Sequence, residues 1–336
     1  MSAATIKDVA REAGVSVASV SRALNGGRGV TAETGQRIQD AAKRLRYVPH
    51  AAARMLITRR TNTVGALLPD LHGEFFSELI RGIDLAARAR GLHLMVSSSH
   101  DDAADAAIAL RAMQGRVDGL LVMTPHADAD FLRQNLPQDL PTVLMNTRLT
   151  GADYCALSVD NDGGARQMVG HLLSLGRRRI AFIQGPPGNR DASEREQGYR
   201  QALASHAPDH PELTVRGDFT EESGFRCGQR LLAMQPRPDA VFAGNDMMAI
   251  GCLAAFRQAG VDVPGEIAVG GFDDVPMARY VIPALTTIQV HIAELGGQAM
   301  DLLGEQIDNP GNVPPGTRRH VGAELVVRAS SGAPIA

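Results

Sequence analysis

Residues 14–25 read GVSVASVSRALN, and the fold of the first sixty residues turns on how that stretch is parsed. Gly14 supplies a turn, Ser16 a hydroxyl able to cap a helix, and Val20, Ala23 and Leu24 a one-sided apolar stripe at helical spacing. Val17, Ala18, Ser21 and Arg22 share the other face. These are more small apolar residues than one buried stripe uses, so part of the surface is expected to meet a partner. Upstream, Thr5 and Asp8 have the spacing of a capping box, and Ile6, Val9, Ala10 and Ala13 follow on one helical face. Downstream, a third helix is expected from near Thr31 to Leu45, with Ile38, Ala41, Ala42 and Leu45 inward. Three short helices with a glycine turn between the first two form a helix-turn-helix unit.

Charge says what such a unit would meet. The whole chain of 336 residues carries −3, yet its first sixty residues hold eleven Lys and Arg against four acids, a local +7 that leaves −10 for the rest. A basic head on an acidic body is the asymmetry expected when one end binds a polyanion. In a DNA major groove about 12 Å wide, Val17 and Ala18 are small enough to touch base edges or a thymine methyl. Arg22, one turn later, can offer guanine two parallel hydrogen bonds.

After the polar junction Arg59 to Thr63, apolar runs alternate with helical segments. The runs are VGALLPD from Val64, LHLMVSSS, GLLVMTP, TVLMN, RIAFIQGP, AVFAGND, IAVGGFDD and LTTIQV; the helical stretches include FFSELIRGIDLAARARG and NDGGARQMVGHLLSLG. That alternation implies parallel, doubly wound sheets, and the series restarts after Val159-Asp160, giving two halves. Ligands of such sheets sit beyond the C-terminal strand ends. Polar residues fall there: Asp70, Asn146, Asn245-Asp246 and Asp273-Asp274, a set suited to a neutral, hydroxyl-rich ligand, with Phe219 able to cover an apolar sugar face. Taken singly, such residues more often cap helices, and Asp246 in GNDMMAIG is expected to be an N-cap.

The runs TIKDVAREAGVSVASVSRALN and VTAETGQRIQDAAKRLRYVPHAAARMLIT closely resemble the DNA-binding head of the lactose/galactose repressor family. The likeness continues through GND-x-MA-x-G at 244–251, GFDD at 271–274 and PALTTI at 283–288. It implies a small all-α helix-turn-helix head plus an α/β periplasmic-binding-protein-like body of two doubly wound parallel-sheet subdomains. The head would occupy residues 1–48 and a hinge helix or linker 49–60. The body, 61–336, would divide into 61–160 with 291–318 and 161–289 with 319–330.

Carried over residue by residue, the resemblance implies DNA contacts from Thr5, Ser16, Val17, Ala18, Ser21, Arg22, Asn25, His50, Ala53 and Leu56. Leu56 would wedge into the minor groove. It implies effector contacts from Phe75, Asn146, Asp191, Arg195, Phe219, Asn245 and Asp273, joining Asp70 from the strand-end reading. His50, Met55, Asn146 and Val290 depart from the residues common in the family. The expected partners are double-stranded DNA with a near-palindromic operator, a sugar-like effector and a second copy of the chain.

Other classes are disfavoured. No phosphate-binding glycine loop occurs, since GPPGN at 185–189 and GGRGV at 26–30 have the wrong spacing and context. His206 and His210 lack a third ligand at metal spacing, and Cys155, Cys227 and Cys252 are too dispersed for a zinc or redox motif. Adjacent Asp273 and Asp274 on a strand would point apart. No enzyme, cofactor or metal is therefore expected. The initial MSAATIKDVAREAG has no apolar core of a leader, and no eighteen-residue apolar run occurs, so a cytoplasmic location is expected rather than a membrane or an exported receptor. The most concrete expectation is a repressor of carbohydrate-utilisation genes; the alternative is a regulator answering a nucleoside, nucleobase or other metabolite.

Overall fold

Gly14 decides where the first helix stops. It sits at φ 62°, the left-handed conformation glycine adopts without steric cost, and closes α1 (Ile6–Ala13). Ser16 then accepts the Ser19 N–H at 3.1 Å to start α2 (Val17–Leu24), and Thr31 accepts that of Thr34 to start α3 (Ala32–Arg44). Val9, Ala10, Ala13, Val20, Ile38 and Ala41 are buried between the three helices. Arg37 of α3 donates to the carbonyl of Ala13 at 2.6 Å, satisfying an otherwise open helix end. This computed structural model describes residues 4–24, 29–47, 60–124, 129–137, 139–147, 154–206 and 212–332. It divides the chain into two compact units, Met1–Asn62 and Thr63–Ala336.

The second unit has two lobes. In the first, β1 (Thr63–Leu68), β2 (His93–Ser98), β3 (Gly119–Met123), β4 (Thr142–Met145), β5 (Cys155–Val159) and β11 (Arg318–Val321) form one parallel sheet in the order β2-β1-β3-β4-β5-β11. α4 (Glu74–Ala89), α5 (Ala103–Met113), α6 (Ala129–Asn135) and α11 (Ile292–Asp308) belong to this lobe. In the second, β6 (Ile180–Gln184), β7 (Leu213–Arg216), β8 (Ala240–Ala243) and β9 (Ala268–Gly270) run parallel in the order β7-β6-β8-β9. Its helices are α7 (Asn161–Ser174), α8 (Arg190–His206), α9 (Glu221–Leu232) and α10 (Asp246–Gln258). A short antiparallel pair, β10 (Thr287–Gln289) with β12 (Glu324–Val326), lies beside them.

Both central sheets are covered on two faces, which is why β3, β4 and β8 read as unbroken apolar runs. Phe182 stacks on Tyr199 at 5.1 Å between centroids, and burial pushes the Tyr199 phenol up to about 12 while its hydroxyl donates to Ile180 O. The chain passes between lobes after β5, after β10 and after β11. The last crossing corrects the expected boundary at 318/319. His320 and Val321 pair with Ser158 and Val159, so residues 319–321 complete the first-lobe sheet and the switch falls at Gly322. Arg318, Arg319 and His320 are exposed along this edge strand, where charge discourages pairing with another chain. β5, β7, β11 and β12 add to the strands expected from apolar runs.

Candidate functional site

The C-terminal strand ends of the two lobes face one cavity of about 140 Å³. β1 runs into Asp70, whose carboxylate accepts the N–H groups of Leu71 and His72; α4 begins just beyond and brings Phe75 and Phe76, packed edge to face at 5.4 Å. From the second lobe, the start of α8 brings Asp191 and Arg195, the turn after β7 brings Phe219, and the segments after β8 and β9 bring Asn245 and Asp273. Phe219 has φ 73° and Asp273 φ 115°, left-handed values that bulky residues adopt only where surrounding packing holds them. These bends carry the side chains off the regular elements.

Arg195 is buried and engaged on three sides. Its Nε donates to Asn161 Oδ1 at 2.9 Å, Nη1 donates to Gly244 O at 2.6 Å, and Nη2 lies 3.0 Å from Asp273 Oδ1. Its guanidinium carbon also stands 3.8 Å from the centre of the Phe272 ring, a cation–π contact inside a desolvated site. Asp191 is held by two amides: Asn146 Nδ2 donates to one oxygen at 2.9 Å and Asn161 Nδ2 to the other at 2.9 Å. Arg195 pairs directly with Asp273, while Asn161, touching both Arg195 and Asp191, links the second carboxylate to it.

Burial pushes the Asp273 carboxyl up to about 6, with the charge of Arg195 opposing the rise and that of Asp191 adding to it. Burial also raises Asp191, against the pull of Arg195. Because Asp273 binds its proton more tightly folded than unfolded, its contribution to stability is full below about pH 4 and is lost as pH rises through about 6. The loss should amount to about 3 kcal/mol. Denaturant titrations of the wild type and Asp273→Asn between pH 4 and 7 test this: the variant should have the flatter profile, and parallel profiles would reject it.

Asp246 corrects an expectation. Asn245, not Asp246, caps α10: its Oδ1 accepts the Met248 N–H at 2.9 Å, and its Nδ2 donates to Phe219 O at 3.0 Å. Asp246 is the first helical residue, fully buried, and accepts from Val275 N at 2.9 Å and Thr287 Oγ1 at 2.5 Å. Desolvation holds its carboxyl well above the ordinary range. Asp273 and Asp274 do part company, as adjacent residues must. Asp274 turns to Arg328 at 2.7 Å, Arg279 and Gln289 in a separate groove.

Contacts also cross between the lobes. Asn146, with φ 47°, reaches Asp191 from the end of β4; Arg190 donates to the carbonyl of Thr147; and Met277 N–H donates to Glu74 at 2.8 Å. In the head, Val17 (40% exposed), Ala18 and Arg22 stand on the outer face of α2, with Val20 buried beneath. Arg22 Nε rests on the Ala18 carbonyl at 3.3 Å. Asp8 accepts both the N–H and the hydroxyl of Thr5, bonds that lower its carboxyl below the usual range.

Residues 5–50 match the family described as bacterial regulatory proteins, lacI family, and residues 169–331 match a periplasmic binding protein-like domain. The ribose operon repressor of Escherichia coli (strain K12) is 38% identical over 313 residues, 91% of this chain and 94% of that protein. The chain belongs to the LacI family. The lac repressor dimer bound to operator and the anti-inducer ONPF superposes with a TM-score of 0.89 at 26% identity, over 99% of this chain and 100% of that one. A LacI-family regulator from Enterococcus faecium with bound ribose aligns at 0.70 and 27% identity, over 80% and 98%.

As a LacI-family member the chain is a DNA-binding transcriptional regulator and not an enzyme. Of the effector residues expected for it, Asp70, Phe75, Asp191, Arg195, Phe219, Asn245 and Asp273 line the cavity. Asn146 does not; it reaches the site through Asp191. Asn161 was missed, although it is the side chain touching both Asp191 and Arg195. Its position just past Asp160, where the chain changes lobe, was the available signal. Asp218 and Glu221 also line the cavity unforeseen, on the turn that carries Phe219. Ser16 caps α2, and Thr5, Val17, Ala18, Ser21 and Arg22 lie on or beside its first turns and that of α1. Asn25, His50, Ala53 and Leu56 lie outside the described residues. Among those described, no helix is long and apolar enough to cross a membrane and no metal-binding cluster occurs.

Proposed function

We propose that this regulator represses carbohydrate-utilisation genes as a homodimer on a near-palindromic operator, under control of a small sugar in the cleft. The observation that carries the reading is the buried Arg195–Asp273 pair with Asp191, lining one cavity of about 140 Å³ together with Phe75 and Phe219. Aromatic faces and carboxylates in so compact a space suit a sugar's apolar ring face and hydroxyl rim. The ribose operon repressor and the ribose-bound regulator support a ligand of that size. Ligand contacts from both lobes tie their angle to occupancy, and through residues 49–60 tie occupancy reciprocally to operator affinity.

On DNA, the exposed face of α2 would read the major groove, and Leu56 would enter the minor groove at the operator's centre. Arg22→Ala should weaken cognate binding by about 1–3 kcal/mol and relax one base position. Selection of binding sites from random duplexes checks this; an unchanged consensus would free Arg22 of the role. Retention of the selected duplex should fall steeply with salt and change when a sugar is added. A protein that holds its operator equally with and without every sugar would end the reading.

Dimerisation is supported by the second-lobe surface around Met277, Tyr280 and Ile282, which are 45%, 74% and 85% exposed. Large apolar side chains gathered at a surface mark an association site. Ile282→Asp should shift the protein toward monomer in sedimentation experiments and weaken operator binding, since each copy would then read one half-site. A dimer indifferent to that charge would place the interface elsewhere.

A further inference from the structure

The charges that line the cavity are unequal. Five carboxylates, Asp70, Asp191, Asp218, Glu221 and Asp273, face one guanidinium, Arg195, and the ring of His72. Arg195 is paired with Asp273 at 3.0 Å, and Asp218 lies 3.7 Å from Arg226 outside the lining. Asp70, Asp191 and Glu221 then stand with no ion-pair partner among the described residues. Hydrogen-bond character is skewed the same way. Carboxylates only accept, while one of the two amide hydrogens of Asn245 goes to Phe219 O and the hydroxyl of Thr220 to Asp218 at 2.5 Å.

A ligand must therefore supply donors, and it must not add negative charge to a wall already carrying an excess. We propose that the cavity selects an unphosphorylated, uncarboxylated sugar or amino sugar and rejects its phosphate ester and its aldonic acid. The proposal rests on the reading of this cavity as the effector site. Phosphoryl transfer to the sugar, or oxidation of its carbonyl to a carboxylate, would convert a recognised molecule into an ignored one, so the regulator reports the compound ahead of either step.

Isothermal calorimetry and thermal shift on the full-length protein test this, with neutral pentoses and hexoses, glucosamine, ribose 5-phosphate, glucose 6-phosphate, ribonate, gluconate and purine bases as probes. Binding is expected among the neutral or amine-bearing sugars, with the matching phosphate and aldonate at least about 100-fold weaker. Glu221→Lys, which replaces an unpaired lining carboxylate by a cation, should improve affinity for the matching phosphate about tenfold or more. A phosphate or aldonate that binds as tightly as its neutral parent overturns the charge rule and leaves the sugar reading standing. Binding confined to purine bases, or to none of the probes, overturns both.

Discussion

Arg195→Leu should destabilise the protein by about 3–5 kcal/mol and abolish its response to effector, while the isolated contacts of the head with DNA remain available. The expected size follows from what is left behind. Leucine fills much of the space against Phe272, but Asp273 loses its ion partner at 3.0 Å and Asn161 Oδ1 and Gly244 O lose their donors. A buried charge or polar group without a partner costs its full desolvation, which is larger than the net worth of the pair itself. Arg195→Lys should recover little, because one ammonium cannot reach the three directions the planar fork serves. Adding Asp273→Asn to Arg195→Leu removes the orphaned charge and should return a large part of the lost stability without returning the response. Equilibrium unfolding of the three variants, with calorimetry for the ligand, separates these effects. An Arg195→Leu protein as stable as wild type would show that the guanidinium is dispensable to the lobe.

The parts of this molecule legible in the sequence are those fixed by neighbours along the chain. Ser16 and Thr31 announce helix starts because the donors they satisfy lie three residues away. The unbroken runs of β3 and β8 announce strands because both faces are covered. β11 escaped that logic: RRHV offers one buried position, and only its pairing with β5, some 160 residues earlier, makes it a strand.

The site divides along the same line. Strand-end residues such as Asp70 and Asp273 could be picked out from local pattern, and the resemblance supplied Asp191 and Arg195 on α8. What no pattern conveyed is that Asn146 would face Asp191 and not the cavity, or that Asn161 would bridge Asp191 and Arg195. The Asn146 contact joins the two lobes, and the Asn161 contacts join the starts of α7 and α8 within the second. Their geometry exists only once the helices and sheets around them are built. The N-cap at 245 and not 246 is a subtler case, since Asn and Asp cap equally well and the choice is made by Val275 and Thr287, which claim Asp246 from a distant part of the chain.

The second large effect pits a local preference against a long-range contact. Gly251 lies inside α10, and Gly251→Ala would by helix propensity alone gain about 1 kcal/mol. The opposite is expected. A methyl at 251 would overlap the carbonyl oxygen of Glu221 and stand 2.8 Å from its carbon and from Phe225 N, all backbone of α9. Backbone has no rotamer to change, so the two helices must part, at a cost at or above the top of the range of about 1–3 kcal/mol for overpacking. Separation would also drag the α9 and α10 starts, which carry Phe219, Glu221 and Asn245 to the cavity, so ligand affinity should fall with stability. Gly170 in α7 supplies the control, because nothing stands within 4 Å of the position a Cβ would take. Gly170→Ala should stabilise by up to about 1 kcal/mol and leave ligand binding unchanged. Thermal unfolding of the two single variants decides the matter: the same chemical change should move Tm in opposite directions, and a Gly251→Ala protein that melts with or above wild type would mean that α9 and α10 do not pack as closely as this structure places them.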